Sequence, residues 1–152
     1  MPDTPPNTPE DPLTYKIFNE IGIIDQLATA AFRRALPPPL NPSMFGVLNH
    51  FVRLGDGKTP SYLADAFQVT RPSMTSILEK LKAAGFVEIE THPDDARGKI
   101  VRITQEGREA RTKAVEATEP LFASIEPALQ GVDREALHAM LAHVRAALDQ
   151  AR

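Results

Sequence analysis

The chain contains no cysteine. That absence excludes disulfides, a thiolate zinc site and any effector sensing by thiol oxidation. No apolar run approaches the ~20 residues needed to span a bilayer. The N-terminal stretch is acidic and proline-rich, unlike a signal peptide, so the reading is a cytoplasmic protein with no membrane partner. Catalytic constellations are missing as well. There is no phosphate-binding glycine loop, no G-x-S-x-G and no nucleophile with a His and an acid in a plausible arrangement. The adjacent acids Asp94 and Asp95 stand in a polar loop beside Arg97, a poor place to tune a carboxylate for general acid work. His50, His92, His138 and His143 are scattered, and the last pair lacks the i,i+3 or i,i+4 spacing that brings ligands onto one helix face. Neither an enzyme nor a metal or other cofactor is expected.

A net positive charge is also lacking: the chain of 152 residues carries −3 overall. Its distribution is more informative than its sum. Residues 53–113 hold 11 of the 17 Lys and Arg and only 9 of the 20 Asp and Glu, a local excess of +2. Binding to a polyanion would depend on where these charges point. The length fits one compact domain, and 42 % hydrophobic residues suffice for a core.

The basic middle is also where the pattern is clearest. Thr59 and Pro60 form a helix start, a capping residue followed by proline where its missing N–H costs nothing. Leu63, Ala64 and Phe67 then share a face. Thr70 caps a second helix, with Pro72 in its first turn, and Met74, Ile77, Leu78 and Leu81 recur at helical spacing. Gly85 is a natural stop. Away from that apolar face stand Arg71, Ser73, Thr75, Ser76 and Lys80, short hydrogen-bonding side chains flanked by cations. Base edges and phosphates ask for such a surface on a recognition helix. An ordinary solvated helix face would look the same, so the context has to decide.

That context is a hairpin. Residues 86–92 (FVEIETH) alternate, with Val87 and Ile89 on one side and Glu88 and Glu90 on the other; residues 100–104 (IVRIT) alternate too. Residues 93–99 between them are polar turn formers and are expected to be a loop. Arg97 and Lys99 tip this wing, which could reach a minor groove, and Asp95 is placed to hold the Arg97 side chain extended.

The flanks read as helices. Residues 1–11 carry four prolines and no aliphatic residue beyond Met1, and are expected to be a flexible tail. A long helix opens at Pro12 or Thr14. Its stripe of Ile17, Ile21, Ile24, Ala28, Ala31 and Ala35 is widened by Phe18, Leu27 and Phe32, more than one neighbour needs. Three prolines, Pro37 to Pro39, end it. Asn41 then caps a helix with Met44, Val47, Leu48 and Phe51 inward, and Gly55-Asp56-Gly57 is a turn. After the wing, Thr104 caps a helix broken near Pro120 and Pro127. Asp133 caps a last one, in which Leu137, Leu141, Val144 and Leu148 form a packing seam.

The segment from Asp95 to Gly107 (DARGKIVRITQEG) resembles the wing-to-helix signature of the MarR family, D-x-R-G, a short strand, then L/I-T-x-x-G. Leu63-Ala64, Val69, Thr75, Leu81 and Gly85-Phe86-Val87-Glu88 fall where that family places its helix-turn-helix and first wing strand. Ile89 and Glu90 depart from it, standing where a basic residue is common. The resemblance covers about Asn41 to Gly107. It implies a mainly α fold with a small β-hairpin wing, a winged helix-turn-helix over residues 41–104. The helix over residues 12–36 and the C-terminal helices over 105–152 would form a dimerisation region.

It further implies a homodimeric, sequence-specific transcription repressor on a palindromic double-stranded operator. Ser73, Thr75 and Ser76 would lie near base edges and Lys80 on phosphate, with Arg71 on phosphate or a guanine edge. Arg97, held by Asp95, would enter the minor groove, and Lys99 would touch the backbone. A small aromatic or phenolic effector would release the DNA. Phe32, Met44, Phe45 and His50 could line its cavity, or could simply be core. A winged-helix module that binds protein in place of DNA is the alternative, kept open by Glu88, Glu90, Asp94 and Asp95.

Overall fold

The computed structural model describes residues 11–151, and in it helices begin where capping side chains stand in the sequence. The expected tail over residues 1–11 lies, apart from Asp11, outside the described residues. Helix α1 (Leu13–Ala35) follows Pro12 without a side-chain cap. Leu36, forced out of the helical region by the proline after it, ends α1 in extended backbone. The Asn41 carboxamide oxygen accepts from the Met44 N–H at 3.0 Å and opens α2 (Pro42–Leu54). Thr59 opens α3 (Pro60–Ala66) and Thr70 opens α4 (Arg71–Ala83), each accepting an N–H of the first turn.

The two helices of the helix-turn-helix end alike. At α3, the Gln68 N–H donates to the Asp65 carbonyl and the Val69 N–H to the Ala64 carbonyl, at 3.2 and 3.0 Å. At α4, Gly85 and Phe86 make the equivalent bonds to Lys82 and Leu81, both at 2.9 Å. This paired closure needs a left-handed residue, supplied by Gly85 (φ +75°) in one case and by Gln68 (φ +52°) in the other. A glutamine at positive φ is uncommon, and its side-chain amide compensates by donating to the Asp65 carbonyl at 2.7 Å.

The hairpin departs from expectation. Strand β1 (Val87–His92) pairs antiparallel with β2 (Asp95–Ile103), so the ladder reaches into what the sequence suggests is a loop and pairs Asp95 and Lys99 of it. Only Pro93 and Asp94 turn the chain. The register pairs Val87 with Ile103, Ile89 with Val101 and Thr91 with Lys99, then slips at a bulge between Thr91 and His92. Residues 96–98 form that bulge and have no partner on β1, so the polar stretch holds irregular backbone between the paired Asp95 and Lys99.

Helix α5 (Gln105–Ala117) is capped by Thr104, whose hydroxyl donates to the Gly85 carbonyl at 2.7 Å and accepts from the Gly107 N–H at 3.0 Å. Gly107 is required here: a Cβ would stand 2.1 Å from the Phe86 carbonyl oxygen. Helices α2, α3, α4 and α5 and the hairpin close one core. Val47, Leu48, Leu63, Met74, Leu81 and Val101 are fully buried in it, each contributing about 1.5–3 kcal/mol. Arg111 of α5 donates twice to the Asn49 side-chain oxygen on α2, at 3.1 and 2.9 Å, and so acts as a structural tie.

The described chain falls into two compact units, one ending at Thr118 and one beginning at Glu119. The second comprises α6 (Glu119–Ile125), a 3-10 turn (Glu126–Leu129) and α7 (Arg134–Gln150), capped by Asp133. The fold is thus mainly helical with one two-stranded antiparallel hairpin. No described helix is long and apolar enough to cross a membrane.

Candidate nucleic-acid interface

Packing Met74, Leu78 and Leu81 inward leaves the rest of α4 exposed. Arg71, Ser73, Thr75, Ser76 and Lys80 all lie on this open surface. At 100° per residue they form two rows, Arg71 with Thr75 on one flank and Ser76 with Lys80 and Ser73 on the other. Their hydroxyls are not equally free. Ser73 shares a 2.8 Å hydrogen bond with the Thr70 hydroxyl, and Thr75 donates to the Arg71 carbonyl at 3.0 Å. Thr75 therefore keeps only acceptor capacity toward a ligand.

A groove of about 290 Å³ separates α4 from the hairpin. Thr75, Glu79 and Lys82 line it from the helix, and Ile89, Glu90, Thr91 and Lys99 from the strands. It brings together Thr75 and Lys99, two candidate residues from different elements. It also adds Lys82 and Thr91, which sequence reasoning missed. Lys82 carries a readable signal, since it lies two helical turns beyond Thr75 on the same flank. Thr91 is brought in by register alone, opposite Lys99.

At the wing tip, one expectation needs correcting. Asp95 does not hold the Arg97 side chain; its carboxylate accepts the Arg97 backbone N–H at 2.9 Å. The acid shapes the turn, as Asp does when its side chain bonds backbone two residues on. The Asp94 N–H is taken by the His92 ring at 3.1 Å. The exposed Arg97 guanidinium makes no ion pair among the described residues. Lys99 stands opposite Thr91 in the ladder, and Arg97 lies in the bulge just beyond it. Arg102 points the other way and pairs with Glu90, Nε to Oε2, at 3.3 Å.

The four candidate effector residues fall into separate contacts. Phe32 meets Phe45 edge-on, ring centres 4.7 Å apart, and Met44 is core. His50 belongs to a separate cluster with Phe51, Tyr62 and Phe67, 5.5 to 6.3 Å between centres. Its Nε2 is buried without a hydrogen-bond partner. Burial lowers the His50 pKa, with Lys58 and then Arg53 adding to the effect. These residues are spread because α2 turns Phe45 toward α1 and His50 toward α3.

Comparison with known proteins agrees with this geometry. A family model described as MarR family matches residues 39–98. An uncharacterized HTH-type transcriptional regulator of Mycobacterium leprae is 37 % identical over 71 residues, 47 % of this chain; the chain spans about half the length of that relative, 49 %. The crystal structure of the transcriptional regulator BldR from Sulfolobus solfataricus superposes with a TM-score of 0.70 at 25 % identity, covering 90 % of this chain and 95 % of that one. A mutant MarR from E. coli, solved in complex with operator DNA, shares the fold with a TM-score of 0.67 at 23 % identity, over 88 % and 99 % of the two chains. Hairpin, capped helices and the glycine under Phe86 thus have one explanation: residues 39–98 match the MarR family, and the fold is the winged helix-turn-helix of MarR-family transcription regulators.

Proposed function

We propose that this regulator acts as a homodimeric, sequence-specific repressor that reads duplex DNA with α4 and the wing. The observation that carries this is the groove with Thr75 on one wall and Lys99 on the other. A sugar-phosphate strand running between a major groove that holds α4 and a minor groove that holds the tip would cross it. In this reading Ser76 and Ser73 meet base edges, with Thr75 as an acceptor. Arg71 and Lys80 flank them on phosphate, Arg97 enters the minor groove, and Lys99 touches the backbone. Asp95 acts indirectly, through the backbone of Arg97. A mutant MarR of E. coli with this fold was solved with operator DNA, which supports DNA as the partner.

Dimer formation is supported by apolar side chains that the single chain leaves open. Ile24 and Leu27 of α1 are 62 % and 67 % exposed, and Leu148 of α7 is 54 % exposed. An aromatic effector would act where Phe32 joins α1 to Phe45 of α2, changing how the dimerising helix meets the DNA-reading helices. The competing protein-binding reading loses ground because Glu90, part of its acidic face, is already paired with Arg102.

Arg97→Ala is expected to weaken binding to a selected operator duplex at least several-fold, on the order of 1–3 kcal/mol, with the melting temperature unchanged. A mutant that binds as tightly as the native chain would remove the wing from the interface.

A further inference from the structure

The segment between α2 and α3 looks like a simple turn in the sequence, yet it is fastened to the wing. The Gly57 N–H donates to the Val101 carbonyl and the Val101 N–H to the Lys58 carbonyl, both at 2.9 Å. This adds one isolated antiparallel bridge, Lys58 with Val101, along the far edge of β2. Between these bonds and α2 stands Asp56. One of its carboxylate oxygens accepts the Ile103 N–H at 3.0 Å, across 47 positions of sequence. The other lies 3.9 Å from Nη1 of Arg102, whose Nε is held by Glu90. Gly57 completes the fit, because a Cβ there would come within 3.3 Å of the same guanidinium nitrogen.

Asp56 thus grips two consecutive residues at the base of the wing, while the candidate DNA contacts lie at its far end. From Ile103 to Lys99, where the regular ladder ends, the strand extends about 14 Å at ~3.4 Å per residue, so a tilt of ~10° at the base moves that end, and Arg97 just beyond it, by at least ~2.4 Å. That displacement exceeds the tolerance of a hydrogen bond. We infer that Asp56 is a positioning residue for DNA reading: it sets the angle of the wing and so delivers Arg97 to its groove without touching DNA itself. The inference rests on the proposed role of the wing. It also gives the pairing of Arg102 a purpose, since a guanidinium bracketed by Asp56 and Glu90 is spent on the protein and not on phosphate.

The test is a double-mutant cycle on the full chain, with a duplex selected from random sequence as the probe and all variants measured where circular dichroism shows them folded. Asp56→Ala should weaken binding roughly five- to twenty-fold, yet by no more than about two-fold in an Arg97→Ala background. Combined with Arg71→Ala on α4, its effect should multiply fully. The slope of affinity against salt should not change, because no phosphate contact is lost. Asp56→Asn, which keeps an oxygen for the Ile103 N–H, should stay within about three-fold of the native chain. Should Asp56→Ala fail to fold, Arg102→Ala takes its place and should show the same coupling with a smaller effect. Full multiplication with Arg97→Ala, or an Asp56→Asn variant as weak as Asp56→Ala, would overturn the inference. If Arg97→Ala alone leaves binding intact, the wing reading itself fails and takes the inference with it.

Discussion

Helices α2 and α7 have the same amphipathic look and opposite fates. Along α2, Met44, Val47, Leu48 and Phe51 recur at 3-1-3 spacing and are all at most 2 % exposed. Along α7, Leu137, Leu141 and Leu148 recur as regularly and remain 38 %, 46 % and 54 % exposed. Helix α1 resembles α7, with no buried residue in 23. An apolar stripe states that a face will be covered, but not by what. In α2 the cover is supplied by neighbours of the same chain, held close by short turns. In α1 and α7 the described residues leave it open, and a second copy is the cover we propose.

This contrast can be broken most sharply by truncation. Phe51→Ala is expected to cost about 3–5 kcal/mol in urea denaturation at any protein concentration, because the site lies between helices that cannot collapse onto it. Leu27→Ala, at a position 67 % exposed, should cost within ~0.5 kcal/mol when the protein is dilute. Its effect should appear only as the concentration rises into the dimer range, and as a weakened dimer in sedimentation. A concentration-independent loss for both variants would mean that α1 is covered within its own chain.

A smaller effect sharpens the same comparison from inside the closed core. His50 sits among Phe51, Tyr62 and Phe67, with its pKa lowered first by burial and then by Lys58 and Arg53. The unfolded chain, with an ordinary histidine value near 6.5, therefore takes up a proton before the folded one. Its contribution to stability is fully present above that pH and is lost as the pH falls through about 6.5 toward the lower folded value. Denaturation midpoints should drop over that window in the native chain. They should drop less in His50→Phe, which removes the titrating group and keeps an aromatic ring. Identical pH profiles would contradict the assignment.

What the sequence made legible was local. Asn41, Thr59, Thr70, Thr104 and Asp133 read as caps, and each accepts the predicted kind of N–H. Such signals act over three or four residues and depend on nothing distant. The apolar positions of α2 and α4 were readable for the same reason. Less legible were arrangements between distant elements: Asp56 under Ile103, Arg111 on Asn49 across 62 positions, and the Lys58 bridge to Val101 at the base of the wing. The length of β2 is not legible because its outer part lies beyond the core and is interrupted by a bulge over residues 96–98, so alternation of polarity no longer marks a strand. The spacing of Asp95 and Arg97 suggests a side-chain pair, whereas the carboxylate takes the backbone N–H two residues on. For the interface, exposure of the five α4 residues followed from periodicity, whereas the groove they share with Thr91 and Lys99 required the fold.

The most direct measurement is a selection from random duplexes followed by fluorescence polarisation at several salt concentrations, with an unselected duplex as control. The account predicts an enriched palindrome with half-sites ~10 bp apart, bound by one dimer and far tighter than the control. It also predicts a log–log salt slope of about −0.9 per phosphate contact. No enriched palindrome, with equal and weak binding to every duplex, would contradict the claim that α4 and the wing read DNA.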